Sequence, residues 1–337
     1  MIMFSQIAFY FLVNICILVF FKKISKYFNL YDYPDLKRKK QTRPISLFGG
    51  FIFLINLFIF IFFDIFFNQK FFLNNLDINK SIEITFFILI FCSIYIIGYI
   101  DDKINIKPFD KLILLLIISY IFIYYNPNFI IITLRSGIIN QDIDLFFIAP
   151  IFTAICIVAF INAMNMFDGI NLVAFLQFSA ISLSFMLGNF LIYFSLLMLF
   201  SLSIFGYLNF KNLTFFGDSG IYILSFLSAI LIIKFYNSFI LNIEDILLII
   251  FLPMIDFFRL FFVRIYIGSN PFRADRRHFH NYLNNKYGFK NTIIIYISLI
   301  YIPVMLNSFF NIAIYLLIIM TIAYLFLLKK TIPLKIN

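Results

Sequence analysis

Five polar clusters hold the residue types able to do chemistry, and each lies at the edge of an apolar stretch or inside one. They are YIDDK at 99–103, NAMNMFDGIN at 162–171, FFGDSG at 215–220, the segment Pro253 to Asp256, and PFRADRRHFHNYL at 271–283. Asp101 and Asp102 are adjacent carboxylates at the end of an apolar run. An ionised Asp near hydrocarbon costs a few kcal/mol, so such residues face a cavity, pair with a cation or bind metal; a solvated helix end is the plain alternative. Asn162, Asn165 and Asp168 recur at i, i+3 and i+6, one stripe of a helix that Gly169 then ends or bends. That stripe needs a polar cavity or a hydrogen-bonded seam between helices. Asp218 precedes an apolar run with Ser219, where helix-start amides can meet an anion or the Asp can simply cap the helix. Asp256 stands near helical spacing from Arg259 and Arg264, which suits a structural ion pair as well as a site.

The last cluster holds both histidines of the chain, His278 and His280, beside Asp275, Arg273, Arg276 and Arg277. Imidazole and guanidinium both donate to phosphate oxygens, so this segment reads as a diphosphate-binding element. Zinc suits it poorly, because no Cys accompanies the pair and carboxylates are hard ligands. Hard carboxylates, basic phosphate donors and an intramembrane position together suggest Mg²⁺-assisted phosphoryl transfer on a lipid substrate, with Mn²⁺ as the alternative ion. The usual soluble solutions, GxxxxGK[ST], HExxH and GxSxG, do not occur.

The elements that must position these residues are legible in the composition. With 63% hydrophobic and 12% charged residues and a mean hydropathy of +1.01, the chain lies outside the soluble range and reads as a polytopic membrane protein. Apolar runs recur near 3–21, 45–66, 83–100, 111–125, 146–163, 170–187, 190–208, 219–236, 244–264, 292–309 and 311–328, so about eleven transmembrane helices are expected, forming one all-α domain over 1–337. The first run lacks a basic start and a cleavage site and is expected to remain as an anchor. Cys16, Cys92 and Cys156 fall inside apolar runs, which leaves no disulfide framework. The connection 126–145 contains a short β-branched run followed by Arg135, Ser136 and Gly137, which predicts a small hairpin.

Lys and Arg set the orientation, since they stay preferentially on the cytoplasmic side. Loops 22–44, 101–110, 164–169, 209–218, 265–291 and the tail after 328 hold 19 of the 26 basic residues, which places the N-terminus outside and the motif loops in the cytoplasm. This bias also explains the net charge of +10 without nucleic acid, and it suits anionic lipid headgroups of the bilayer.

From about Asp32 to Leu283 the chain resembles the polyprenyl-phosphate N-acetylhexosamine-1-phosphate transferases, which start O-antigen, enterobacterial common antigen and teichoic acid synthesis. The matching motifs follow in order: DYPDLKRKKQTRPISLFGG, GYIDDK with Lys111 downstream, NAMNMFDGIN, FGDSG, Asp256 and PFRADRRHFH. The resemblance implies transfer of a sugar 1-phosphate from a UDP-N-acetylhexosamine to undecaprenyl phosphate at a bacterial inner membrane, with release of UMP. It implies Asp101 and Asp102 beside the lipid phosphate and metal, Asp168 with Asn162 and Asn165 in the nucleotide and metal region, and Asp218 as metal ligand. Asp275, Arg276, His278 and His280 are then the sugar-nucleotide loop, Asp256 a further substrate-side group, and Lys111, Arg38 and Lys39 partners of phosphates. A homodimer is compatible with it. Gln41, Ser46, Leu172, Ile221 and Asn281 depart from the pattern; Leu172 stands where DGxNG has Gly. The single His-x-His favours the N-acetylhexosamine enzymes over the lipid I synthase, the enzyme alternative. A transporter is the alternative of another class, because it too would place Asp and Asn inside the membrane.

Overall fold

The computed structural model describes residues 2–34, 43–66, 72–78, 80–137, 142–271 and 275–332. Its helices in chain order are α1 (Ile2–Tyr27), α2 (Gly49–Phe66), α3 (Ser81–Ile104), α4 (Pro108–Tyr125), α5 (Ala149–Phe167), α6 (Val173–Leu187), α7 (Ile192–Phe210), α8 (Gly217–Asn237), α9 (Ile243–Ile249), α10 (Phe251–Tyr266), α11 (Phe279–Phe310) and α12 (Ala313–Thr331). This is an all-α, membrane-embedded architecture. Among the described residues nine helices are long and apolar enough to cross a membrane, or ten when α9 and α10 form one bent span. The eleventh expected run is α6, whose 15 residues fall short of a full crossing.

Contacts divide the chain into two compact units, residues 1–122 with 189–227, and 123–188 with 228–337. In the first, α1, α2 and α7 pack together through aromatic rings, such as Phe60 of α2 on Phe194 of α7 with centroids 4.8 Å apart. The start of α8 is held unusually close to α2 and α3. A Cβ on Gly50 or Gly98 would overlap atoms of Ser219, and one on Gly220 would lie 2.8 Å from the Gly50 nitrogen. Small residues let backbones touch in this way, and where lipid is as apolar as the side chains such contact is a main source of helix association. The chain just before α8 adds backbone bonds: Phe215 N donates to Ser46 O at 2.8 Å, and Gly49 N and Gly50 N donate to Phe215 O and Phe216 O at 3.1 Å each. A two-residue ladder not foreseen from the sequence, β1 (Tyr31–Asp32) with β2 (Ile45–Ser46), lies beside this junction in the chain.

The second unit is built on α5 against α10 and on α11 against α6 and α12. The expected hairpin is present as β3 (Thr133–Leu134) paired antiparallel with β4 (Ile143–Asp144). Arg135 ties it down by donating to the carbonyls of Tyr236 and Leu241 at 2.7 and 3.1 Å. The helices α9 and α10 meet at 82°. A bend frees backbone carbonyls that lipid cannot satisfy, and buried Gln177 donates its amide to Ile249 O at 2.7 Å. One boundary differs from expectation: α11 begins at Phe279 rather than near 292 and is interrupted at Gly288, whose φ of 75° is left-handed. Its first turns are polar in sequence, yet they bury Phe279, His280 and Leu283 on one face, so the anchoring stripe is too short to register as an apolar run.

Candidate active site

In the first unit, the acidic residues at the end of α3 meet the start of α8. Asp101 is buried, and its Oδ1 accepts the Ile106 N–H at 2.9 Å, which folds the chain back after the helix. Its Oδ2 accepts Lys111 Nζ at 2.9 Å and the Tyr222 hydroxyl at 2.8 Å. Asp102 points the other way. Its Oδ1 accepts Asp218 N–H at 2.7 Å, while its Oδ2 accepts Ser219 N–H at 3.2 Å and Ser219 Oγ–H at 3.0 Å. A carboxylate on one helix therefore caps another, satisfying amides that would otherwise be orphaned at its positive end. Gly217 makes this possible twice over: its φ is 68°, and a Cβ there would lie 2.7 Å from Asp102 Oδ2.

The cap sets Asp218 beside Asp101, near enough for the two carboxyl groups to act on each other. Of these three carboxylates, Asp101 is the one that takes the Lys111 ammonium. Carboxylates so placed need a proton or a cation between them. Among the described residues no group of three or more His, Cys, Asp or Glu side chains forms a ready metal cage. Mg²⁺ does not demand one, since it is held by one or two carboxylates together with substrate phosphates and water. Asp218 with Asp101 is a donor set of that kind. Tyr222 escaped sequence reasoning, although it sits four residues after Asp218 and so shares its helix face.

In the second unit, α10 organises the segment leading into α11. Asp256 Oδ1 accepts Arg259 Nη2 at 2.6 Å and the Tyr324 hydroxyl at 2.9 Å. Its Oδ2 accepts Phe279 N–H at 3.2 Å and lies 3.6 Å from His278 Nδ1. Arg259 also donates to Arg277 O at 2.6 Å. Arg264, one turn on and buried, donates to Asp275 Oδ2 at 3.0 Å and to Pro271 O at 2.8 Å. Burial alone would raise the Asp275 carboxyl, but the Arg264 hydrogen bond and the Arg277 amide outweigh it and hold the group below its ordinary range. Each carboxylate here is matched by an arginine. Arg276 is exposed.

Beside this segment, α5 ends at Phe167 with Asp168 as its C-cap residue. Asn162, Asn165 and Asp168 are half-buried, and Asn162 Nδ2 donates to Val158 O of its own helix at 2.8 Å. Gly169 does not adopt a left-handed φ; that role falls to Leu172 at φ 72°, which gives the departure from DGxNG a backbone meaning. Gly169 instead lies against His280, where a Cβ would overlap the imidazole Nε2 and Cε1 and stand 2.9 Å from Cδ2. His280 in turn stacks on His278, with centroids 5.1 Å apart at 15°.

The structure thus joins Asp101, Asp102, Lys111 and Asp218 in one unit, and Asp256, Asp275, His278, His280 and the 162–169 segment in the other. Asp168, read alongside Asp218 as a metal ligand, belongs to the second unit. Arg38, Lys39 and Arg273 lie outside the described residues. The acidic cluster at the ends of α3 and α8 falls wholly inside a recognisable segment. Residues 83–236 match glycosyl transferase family 4. The match covers both YIDDK and FGDSG as well as the Asn162–Asp168 stripe, and it supports a glycosyl-1-phosphate transferase in the broad sense. No curated protein matches the chain.

Proposed function

We propose that this protein transfers N-acetylhexosamine 1-phosphate from a UDP-sugar to undecaprenyl phosphate on the cytoplasmic face of a bacterial inner membrane, with Mg²⁺ as cofactor. The observation that carries the reading is the Asp102 cap on α8, which with the Tyr222 bond to Asp101 gathers Asp101, Asp102 and Asp218 at helix ends within the matched segment. A bound divalent ion would neutralise their charge together with the donor's diphosphate. A second phosphate ionisation near roughly 6 leaves the attacking lipid phosphate mostly dianionic at neutral pH, so no general base is required. Its oxygen attacks the sugar-linked phosphorus, the bridging P–O bond breaks, and UMP leaves with the electron pair.

The chain's own groups divide the remaining work. Lys111 offers positive charge to the lipid phosphate, and Asp102 holds the start of α8 so that Asp218 stays aimed. On the second unit, His278, His280 and Arg276 serve the diphosphate, and Asn162, Asn165 and Asp168 the nucleotide. Asp256 and Asp275 keep that segment in shape through Arg259 and Arg264. Positioning and charge stabilisation are what phosphoryl transfer chiefly asks of a protein.

The test is an assay of purified protein with radiolabelled UDP-GlcNAc and undecaprenyl phosphate. Label should enter lipid with stoichiometric UMP, stop with EDTA and return with Mg²⁺ or Mn²⁺, and a panel of UDP-sugars then names the donor. Undiminished turnover in EDTA removes the metal from the reading. Label taken into vesicles without UMP makes the chain a transporter.

A further inference from the structure

The contact between Gly169 and His280 joins two motifs that are more than 100 residues apart in sequence. The φ of Gly169 lies outside the left-handed region, so its backbone could carry any residue. What excludes a side chain is the imidazole, which occupies the space a Cβ would take. His280 cannot readily step aside. It is 2% exposed, and His278 is stacked on it. The backbone on its N-terminal side is pinned by the Phe279 N–H bond to Asp256 Oδ2 at 3.2 Å, and Phe279 and Leu283 on the same turns are buried.

We propose that Gly169 is a positioning residue for His280: the absence of a side chain at 169 sets where the imidazole stands relative to the Asp168 turn. The functional part rests on the reading above, that His280 serves the donor diphosphate; the geometric part does not. Gly169 itself is exposed, but a methyl group there would point into the buried imidazole and force that packed neighbour to shift. A displacement of about 1 Å in a reacting group can cost about 100-fold in rate.

The experiment compares Gly169→Ala, His280→Ala and the double variant. The chain has only two histidines, so modification by diethyl pyrocarbonate, mapped by mass spectrometry, reports His280 directly. Gly169→Ala should expose His280 to the reagent while the native chain protects it. Transfer should fall about 100-fold in Gly169→Ala, to the level of His280→Ala, and the double variant should fall no further, because removing the ring makes room for the methyl group. The thermal midpoint should follow the same pattern, dropping by about 3 °C or more in Gly169→Ala and recovering in the double variant. Unchanged labelling, or losses that add in the double variant, would overturn the assignment. If transfer is absent even in the native chain, labelling and melting still decide the seat of His280, and only the reading of the reaction fails.

Discussion

The two polar clusters use the same device and differ in how they balance charge. Asp102 takes the first amides of α8 and Asp256 takes the first amide of α11, so in each unit a carboxylate from one helix fixes where another begins. Around Asp256 every acid is answered: Arg259 and Tyr324 meet it, and Arg264 meets Asp275. Around Asp101 three acids gather, and the lysine there, Lys111, is bonded to Asp101 while Asp102 accepts from the α8 amides. A matched network is a finished structure, whereas an unmatched one is waiting for charge to arrive. On the proposed function, the second cluster would shape a segment and the first would be where a cation is held.

The largest effect should come from the unmatched acid. Asp218→Asn keeps the shape but removes the charge, and transfer should fall by about 10²–10³ or more, with the protein still folded in membranes; near-normal turnover would remove the contrast. Asp77→Asn, in a loop expected outside, should leave transfer unchanged. In the matched cluster the main cost is stability. Asp256→Ala strands the Arg259 guanidinium, and breaking a buried pair costs about 3–5 kcal/mol, readable as loss of protein surviving a thermal challenge in detergent. Replacing Asp102 by Ala removes a cap, for about 0.5–2 kcal/mol, and should also lower transfer because Asp218 is no longer aimed. The smallest effect concerns Leu172. Both Leu172→Ala and Leu172→Gly lose its packing, but only Gly is at ease at φ 72°, so the Gly variant should be the more stable by about 1 kcal/mol in thermal unfolding.

Long apolar runs made most of the membrane helices legible, because a span in lipid must bond its own backbone, and the β-branched run after 126 correctly marked a hairpin. Asp101, Lys111 and Asp218 are brought together by the resemblance, whose motifs they follow in order, and not by charge or spacing. The cap by Asp102 could not be read at all, since FGDSG looks self-capping and the acceptor comes from a different helix. The start of α11 was hidden because its turns bury only three residues while carrying His, Asn and Lys. Tyr222 and Tyr324 passed as ordinary apolar aromatics; their hydroxyls became informative only when Asp101 and Asp256 were seen as their acceptors. Gly169 read as a helix terminator, and periodicity has no means to show that an imidazole fills its missing side chain.

The reading assigns both clusters to one reaction, which requires both to open to one compartment. With Cys16, Cys92 and Cys156 replaced by Ala, single cysteines can be placed by Lys107→Cys, just after the acidic cluster, and Arg276→Cys, in the basic segment; both positions are exposed. A membrane-impermeant maleimide should label both in inverted vesicles and neither in intact cells. Labelling of the two from opposite faces would contradict a shared substrate.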